Sequence, residues 1–242
     1  MPAKNAIKVY APESYYHIYN RGVNKRVIFK DQQDYSVFLS YLKTYLLPKD
    51  TDQLNLKIKN RDTPFADKYQ ANKLLVLNNF SDKIDLLAYC LMPNHFHLLI
   101  KQQGQSDMEH LMRSLISRYT TYFNKRYHRL GPLFQGRYKA VLIESDAQLL
   151  HLTRYIHRNP FVLQRTVLSK KDSPLFNQPS SYPNYLGKIN QQWVKPDFIL
   201  QNFSGTGFNS YQAFVESEDN DLEVETVTLL DRIVSDAKPL QH

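Results

Sequence analysis

Between residues 14 and 21 the side chains alternate, with Tyr16, Ile18 and Asn20 on one side and Tyr15, His17 and Tyr19 on the other. That period of two predicts a strand, and Arg21-Gly22 supplies a turn signal at its end. Over 31–47 the period lengthens, since Tyr35, Phe38, Leu39, Leu42 and Leu46 share one helical stripe and Pro48 stops it. From Lys49 to about Lys73 the chain is polar, charged and weakly periodic, which predicts an inserted surface excursion without chemistry. Residues 74–76 read as the start of a strand. Two apolar runs, 84–91 and 95–101, are split by Met92-Pro93-Asn94, the pattern of strand, tight turn and strand.

A second helical stripe follows over 108–126, made by Met108, Leu111, Met112, Leu115, Ile116, Tyr119 and Phe123. Leu130-Gly131-Pro132 stops it, and 133–143 reads as strand-like. Ser145-x-x-Gln148 is a capping box opening a helix to about Arg158, which Pro160 closes. Beyond lie a Pro-, Ser- and Asn-rich loop over 173–184, short aromatic segments around Trp193, Phe198, Phe203 and Tyr211, and about twenty poorly ordered final residues. Strands alternate irregularly with helices and short turns join several strands. The expected class is therefore α+β, a mostly antiparallel sheet with flanking helices, and not a doubly wound parallel sheet.

Composition narrows the partners. The chain has 242 residues, 42% of them hydrophobic, enough for one substantial core or a compact domain with an extension. Its formal charge of +8 and pI near 9.3 favour phosphate-rich partners over neutral metabolites. The tail over 216–242 is acidic, so the body is more basic than the total implies. A single cysteine, Cys90, excludes an internal disulfide and a cysteine-rich zinc site. With neither a signal-peptide core nor a long apolar run, the expectation is a cytoplasmic protein with no membrane association.

Three features carry candidate chemistry. His95-Phe96-His97 lies on a predicted strand, so both imidazoles project to one side while Phe96 goes to the other. Two adjacent imidazoles are half of a metal site, or else ordinary hydrogen-bonded sheet residues. On the helix before Pro160, Tyr155 and Asn159 are four apart and share a face, where phenol and amide could approach one ion. A tyrosine so placed is as well explained as a half-buried helix residue, and the chain has 17 tyrosines. Over 117–139, Arg118, Lys125, Arg126, Arg129, Arg137 and Lys139 interleave with Tyr119, Tyr122, Phe123, Tyr127, Phe134 and Tyr138. Cations follow a phosphate backbone and aromatic faces stack on unpaired bases, so this composition suits single-stranded or hairpin nucleic acid. Core aromatics behind a solvated basic helix face are the alternative.

The segments LLAYCLMPNHFHLLI (86–100), GPLFQGRYKAVLI (131–143) and LTRYIHRNP (152–160), with the opening YYHIYNRGVNKRVIF (15–29), resemble the IS200-like Y1 transposases of the His-hydrophobic-His (HUH) type. The similarity is strongest to their REP-associated branch and spans about Tyr15 to Val162, interrupted by the polar insertion. It implies a ferredoxin-like α+β catalytic domain over 1–165 and a C-terminal extension over 166–242, with SSYPNYLG through YQAFV resembling that of longer members. It further implies metal ligands at His95, His97 and Asn159 and a nucleophile at Tyr155. The ion would be Mg²⁺ or Mn²⁺, with no small-molecule cofactor. DNA contacts are expected from Arg21, Arg118, Lys125, Arg126, Arg129, Arg137, Tyr138 and Lys139.

The resemblance implies an enzyme that cleaves and rejoins single-stranded DNA beside hairpins through a 5′-phosphotyrosine, as a monomer or a homodimer, near the nucleoid of a bacterial cytoplasm. A domesticated hairpin-binding protein without cleavage is the first alternative, against which the retained His95, His97, Tyr155 and Asn159 argue. An unrelated metallohydrolase is the second. It is disfavoured because no further His or Asp ligand follows His97 closely.

Overall fold

The computed structural model describes residues 10–166 and 179–217. Strands β1 (Ser14–Arg21), β2 (Ile84–Met92), β3 (His95–Gln102) and β4 (Lys139–Ile143) form one antiparallel sheet in the order β2-β3-β1-β4. Helices α1 (Gln32–Leu46) and α4 (Asp107–Arg126) make the two crossovers. Strand, helix, two strands, helix and strand in this order is the ferredoxin-like α+β arrangement that the sequence led us to expect. Asp31 caps α1, its carboxylate accepting from the Asp34 amide at 3.1 Å.

Cross-strand partners share a face, so the register sorts the sheet into two sides. Phe96 pairs with Asn20 and Leu98 with Ile18, and this side is buried under α1 and α4, with Phe38 5.4 Å from Phe96 and 5.1 Å from Tyr119. His95 pairs with Arg21 and His97 with Tyr19, and His17 shares their side. That second side receives α5 (Asp146–Thr166), which buries Leu152 and Ile156 beneath it.

The helical stripes hold a buried polar joint as well. Asp34, with no exposed surface, accepts hydrogen bonds from the Lys30 amide, the Tyr122 and Tyr127 hydroxyls and the Arg126 guanidinium at 2.7–2.9 Å. Arg126 also reaches Asp31 at 2.7 Å. One carboxylate thus ties the start of α1 to the end of α4. Gly22 is required just after β1 by close approach, since an added Cβ would lie 2.2 Å from the Arg26 carbonyl oxygen.

The structure differs from expectation in four places. The polar insertion is a helical hairpin, α2 (Thr51–Lys59) and α3 (Phe65–Val76), so 74–76 ends a helix and starts no strand. Its apolar positions lack a consistent stripe, and Leu56, Phe65, Tyr69 and Val76 are left exposed. Only the second half of 133–143 is strand, because Gly136, at φ +67°, sits before it in a turn. The fourth difference is at Pro160, which α5 passes through to reach Thr166. A proline has no N–H for the carbonyl four residues back, which disfavours a helix interior without forbidding one.

Beyond α5, the described C-terminal stretch carries three short helices, α6 (Tyr182–Tyr185), α7 (Asp197–Leu200) and α8 (Tyr211–Glu216). Residues 179–181 run along the outer edge of β2, where Leu91 N–H donates to the Pro179 carbonyl at 2.9 Å and Ser181 N–H to the Tyr89 carbonyl at 3.0 Å. Pairing there satisfies an edge strand that would otherwise offer its ladder to other chains. The acidic tail expected to be poorly ordered lies beyond the described residues.

Replacing Asp34 by Ala leaves Arg126, Tyr122 and Tyr127 without their shared acceptor. Unfolding in urea should show a loss of about 3–5 kcal/mol. A loss below about 1 kcal/mol, the range of exposed ion pairs, would contradict the buried-joint account.

Candidate active site

The turn Pro93-Asn94 sets the paired histidines at the start of β3, and three backbone bonds hold that turn. Ile28 and Phe29 N–H donate to the Pro93 carbonyl at 2.7 and 3.0 Å, and Gly22 N–H donates to the Asn94 carbonyl at 2.8 Å. The His95 and His97 rings stand perpendicular with centroids 5.0 Å apart. His95 Nδ1 lies 2.7 Å from the Asn94 side-chain oxygen. His97 Nδ1 lies 2.9 Å from Nε2 of His17, a third histidine on the same sheet face. Both candidate ligands are therefore gripped through Nδ1, which leaves Nε2 of each outside those bonds.

Burial sets their charge. It pushes His95 down to about 4, helped by the Arg21 charge, and His17 down to about 3. His97 is driven well below the usual histidine range, first by burial and then by its two histidine neighbours. Neutral rings keep lone pairs, which metal ligation needs.

Helix α5 brings the phenol. Tyr155 stands edge-on to His97 with ring centroids 5.6 Å apart, and 6.5 Å from His17. Its contact is made within one chain. Asn159, a turn later, donates from its side-chain nitrogen to the Tyr155 carbonyl at 2.8 Å, so its oxygen is not the atom engaged there. Tyr155, Asn159 and His95 are partly exposed, whereas His17 and His97 keep 1% and 2% of their surface, so the site has a mouth and a dry floor.

The buried His157 fixes this placement. Its Nε2 lies 2.7 Å from the Ser181 hydroxyl and its Nδ1 2.6 Å from the Tyr211 hydroxyl. Ser181 in turn accepts from the Tyr89 amide at 2.9 Å, which links α5 through the C-terminal stretch to β2. Arg154 adds a bond to the Ser217 carbonyl at 2.6 Å.

Two imidazoles at right angles, each held through Nδ1, offer two nitrogen donors of the kind a divalent ion takes, and the Asn159 amide lies on the helix whose Tyr155 meets His97. No group of three or more His, Cys, Asp or Glu is placed to hold a metal among the described residues, so an amide would have to complete the set.

The basic residues divide. Arg21 flanks His95, with Nε donating to the Gln135 side chain, and Lys139 lies across β1 from the pair, its Nζ 5.6 Å from the Tyr19 ring. Lys125 and Arg137 are exposed. Arg129 bonds the Asn124 side chain at 2.9 Å. Two expected DNA contacts are engaged otherwise, on the opposite side of the sheet: Arg118 lies 3.9 Å over the Tyr41 ring, and Arg126 holds Asp31 and Asp34. Tyr138 is only 7% exposed, and its hydroxyl meets that of Tyr10 at 2.8 Å. Tyr119, Phe123 and Phe134 are core as well, so for these rings the alternative of core aromatics behind a basic helix holds.

Residues 53–159, which include His95, His97, Tyr155 and Asn159, match the family model described as "Transposase IS200 like". Over that stretch the chain is similar to the IS200-like transposases. No curated protein matches it. Among solved structures, "Structure of the REP associates tyrosine transposase bound to a REP hairpin" aligns with a TM-score of 0.47 and 15% identity, over 84% of this chain and 94% of that one. No described helix is long and apolar enough to cross a membrane.

The sequence reading missed His17 as a member of the site, and missed the His157, Ser181 and Tyr211 clamp. A signal for His17 existed, since it has the parity of Tyr19 on β1, but the β1-β3 register that aligns it with His97 is not written locally.

The buried rings also fix a pH dependence. An unfolded histidine titrates near 6.5, whereas His17, His95 and His157 resist protonation down to about 3, 4 and 3. Below about pH 6.5 the unfolded chain binds more protons, so stability is complete above that value and lost as pH falls toward 4. Urea midpoints measured from pH 7.5 to 4.5 should decline steadily below 6.5, and a flat profile would show that these rings are not held neutral.

Proposed function

We propose that the chain is a metal-dependent enzyme that cleaves and rejoins single-stranded DNA through a phosphotyrosine at Tyr155. The observation that carries this reading is the edge-on approach of Tyr155 to His97, at 5.6 Å, within one chain. Similarity of residues 53–159 to the IS200-like transposases supports it.

A phosphodiester repels nucleophiles, and a phenol with a reference pKa near 10 is mostly protonated at neutral pH. Mg²⁺ or Mn²⁺ held by His95, His97 and Asn159 would supply Lewis-acid polarisation of the scissile phosphate. Arg21 and Lys139 set positive charge beside the histidines, which favours phenolate and draws the DNA backbone inward. Tyr155 gives its proton to water, and its oxygen forms a bond to phosphorus as the bond to the 3′ oxygen breaks. The departing 3′ oxygen takes a proton and becomes a hydroxyl. The 5′-phosphotyrosine conserves the bond energy, so attack by another 3′-hydroxyl reverses the step without ATP. Exposed Arg137, two residues before β4, is suited to follow the strand, and single-stranded DNA beside a hairpin is the substrate that the family resemblance favours.

Incubation with Mn²⁺ and labelled hairpins carrying single-stranded flanks should give an adduct that survives denaturing gels. Tyr155→Phe should abolish the adduct and leave DNA affinity within about twofold, as expected for an interaction made only in the reaction. Binding without adduct across a range of hairpins would instead identify a DNA-binding protein, and hydrolysis independent of DNA a different metallohydrolase.

A further inference from the structure

His17 has one hydrogen-bond partner, and it is a proposed ligand. Its Nε2 faces His97 Nδ1 at 2.9 Å, while among the described residues its Nδ1 has none. The two rings are near parallel, at 16°, with centroids 5.1 Å apart. With the facing nitrogens that close, this is an edge-to-edge, in-plane bond and not face stacking. A buried imidazole bonded on one side only is costly on a strand face where an aliphatic side chain would be satisfied. Its polar atoms serve His97 alone.

His95 indicates which way that bond must run. An amide oxygen accepts and cannot donate, so the Asn94 oxygen at 2.7 Å puts the His95 proton on Nδ1 and leaves a lone pair on Nε2. Metal-ligating histidines in general donate their second ring N–H to an acceptor, which fixes tautomer and ring orientation. For His97 the acceptor available at Nδ1 is His17 Nε2.

Resting on the metal site argued above, we propose that His17 is a positioning residue: it accepts the Nδ1 proton of His97 and thereby keeps the His97 Nε2 lone pair available to a divalent cation. In that arrangement the His17 proton sits on Nδ1, the atom with no partner. The fold bears an unpaired donor that only metal binding turns to advantage. His17 therefore contributes to ion affinity and costs the metal-free protein stability.

Mn²⁺ titration by calorimetry, with His97→Ala as background, tests this against urea midpoints of the metal-free protein. His17→Leu should weaken Mn²⁺ binding by about 10–100-fold, the usual effect of losing such a partner, while its midpoint stays equal or rises. His17→Gln keeps an acceptor and should recover part of the affinity. In the wild type loaded with diamagnetic Zn²⁺, ¹⁵N spectra should place the His97 proton on Nδ1. Unchanged affinity in His17→Leu, or an unprotonated His97 Nδ1 in the Zn²⁺ form, overturns the role of His17 and leaves the metal site standing. A wild type that binds no divalent ion removes both. Should His17→Leu fail to fold, the Zn²⁺ spectra of the wild type decide the matter alone.

Discussion

Everything chemical in this molecule depends on α5 lying against its own sheet. The histidines sit on β3 and the phenol on a helix more than fifty residues later, so their meeting is a tertiary contact that local structure cannot supply. Leu152 and Ile156 provide the apolar part of that contact. Its direction is set by His157, a polar side chain with no exposed surface whose two nitrogens are both satisfied, one by Ser181 and one by Tyr211. A buried imidazole with both partners in place fixes a unique arrangement, whereas a missing partner would leave it costly. The C-terminal stretch is thus part of the site's architecture: it pairs with the edge of β2 and holds the helix that bears Tyr155.

Three buried histidines illustrate how environment separates role from residue type. His157 is bonded at both nitrogens and serves as a clamp, and His97 is bonded at Nδ1, which leaves Nε2 outside that bond. His17 is bonded at one and leaves the other without a partner in a dry floor. All three are kept neutral by burial. Only the hydrogen-bond pattern sets the three rings apart.

Much of this was legible in the chain. β1, α1 and α4 were marked by clear periods of two or 3.6, and β2 and β3 by apolar runs, because those two strands are buried on both faces of the sheet. Strand parity put His95 and His97 on one side of the sheet, and helical spacing put Tyr155 and Asn159 on one helix face, whereas the roles expected of them came from the family resemblance. The rest was hidden for physical reasons. Pro160 read as a helix end because its local cost argues for one, yet α5 runs on past it to Thr166. The α2-α3 hairpin has no steady apolar stripe, so it read as irregular. The intramolecular partners of Arg118, Arg126 and Tyr138 could not be read from composition, because Tyr41, Asp34 and Tyr10 are each more than seventy residues away. His17 escaped since sheet register is a property of two strands.

The account places phenol and imidazoles around one cation in a single chain, and paramagnetic broadening tests that directly. With ring-labelled tyrosine and substoichiometric Mn²⁺, the Tyr155 resonance, assigned by its loss in Tyr155→Phe, should broaden beyond detection, while that of Tyr69 on α3 stays sharp. A Tyr155 signal that remains sharp under Mn²⁺ concentrations that broaden the His95 and His97 resonances would contradict the account.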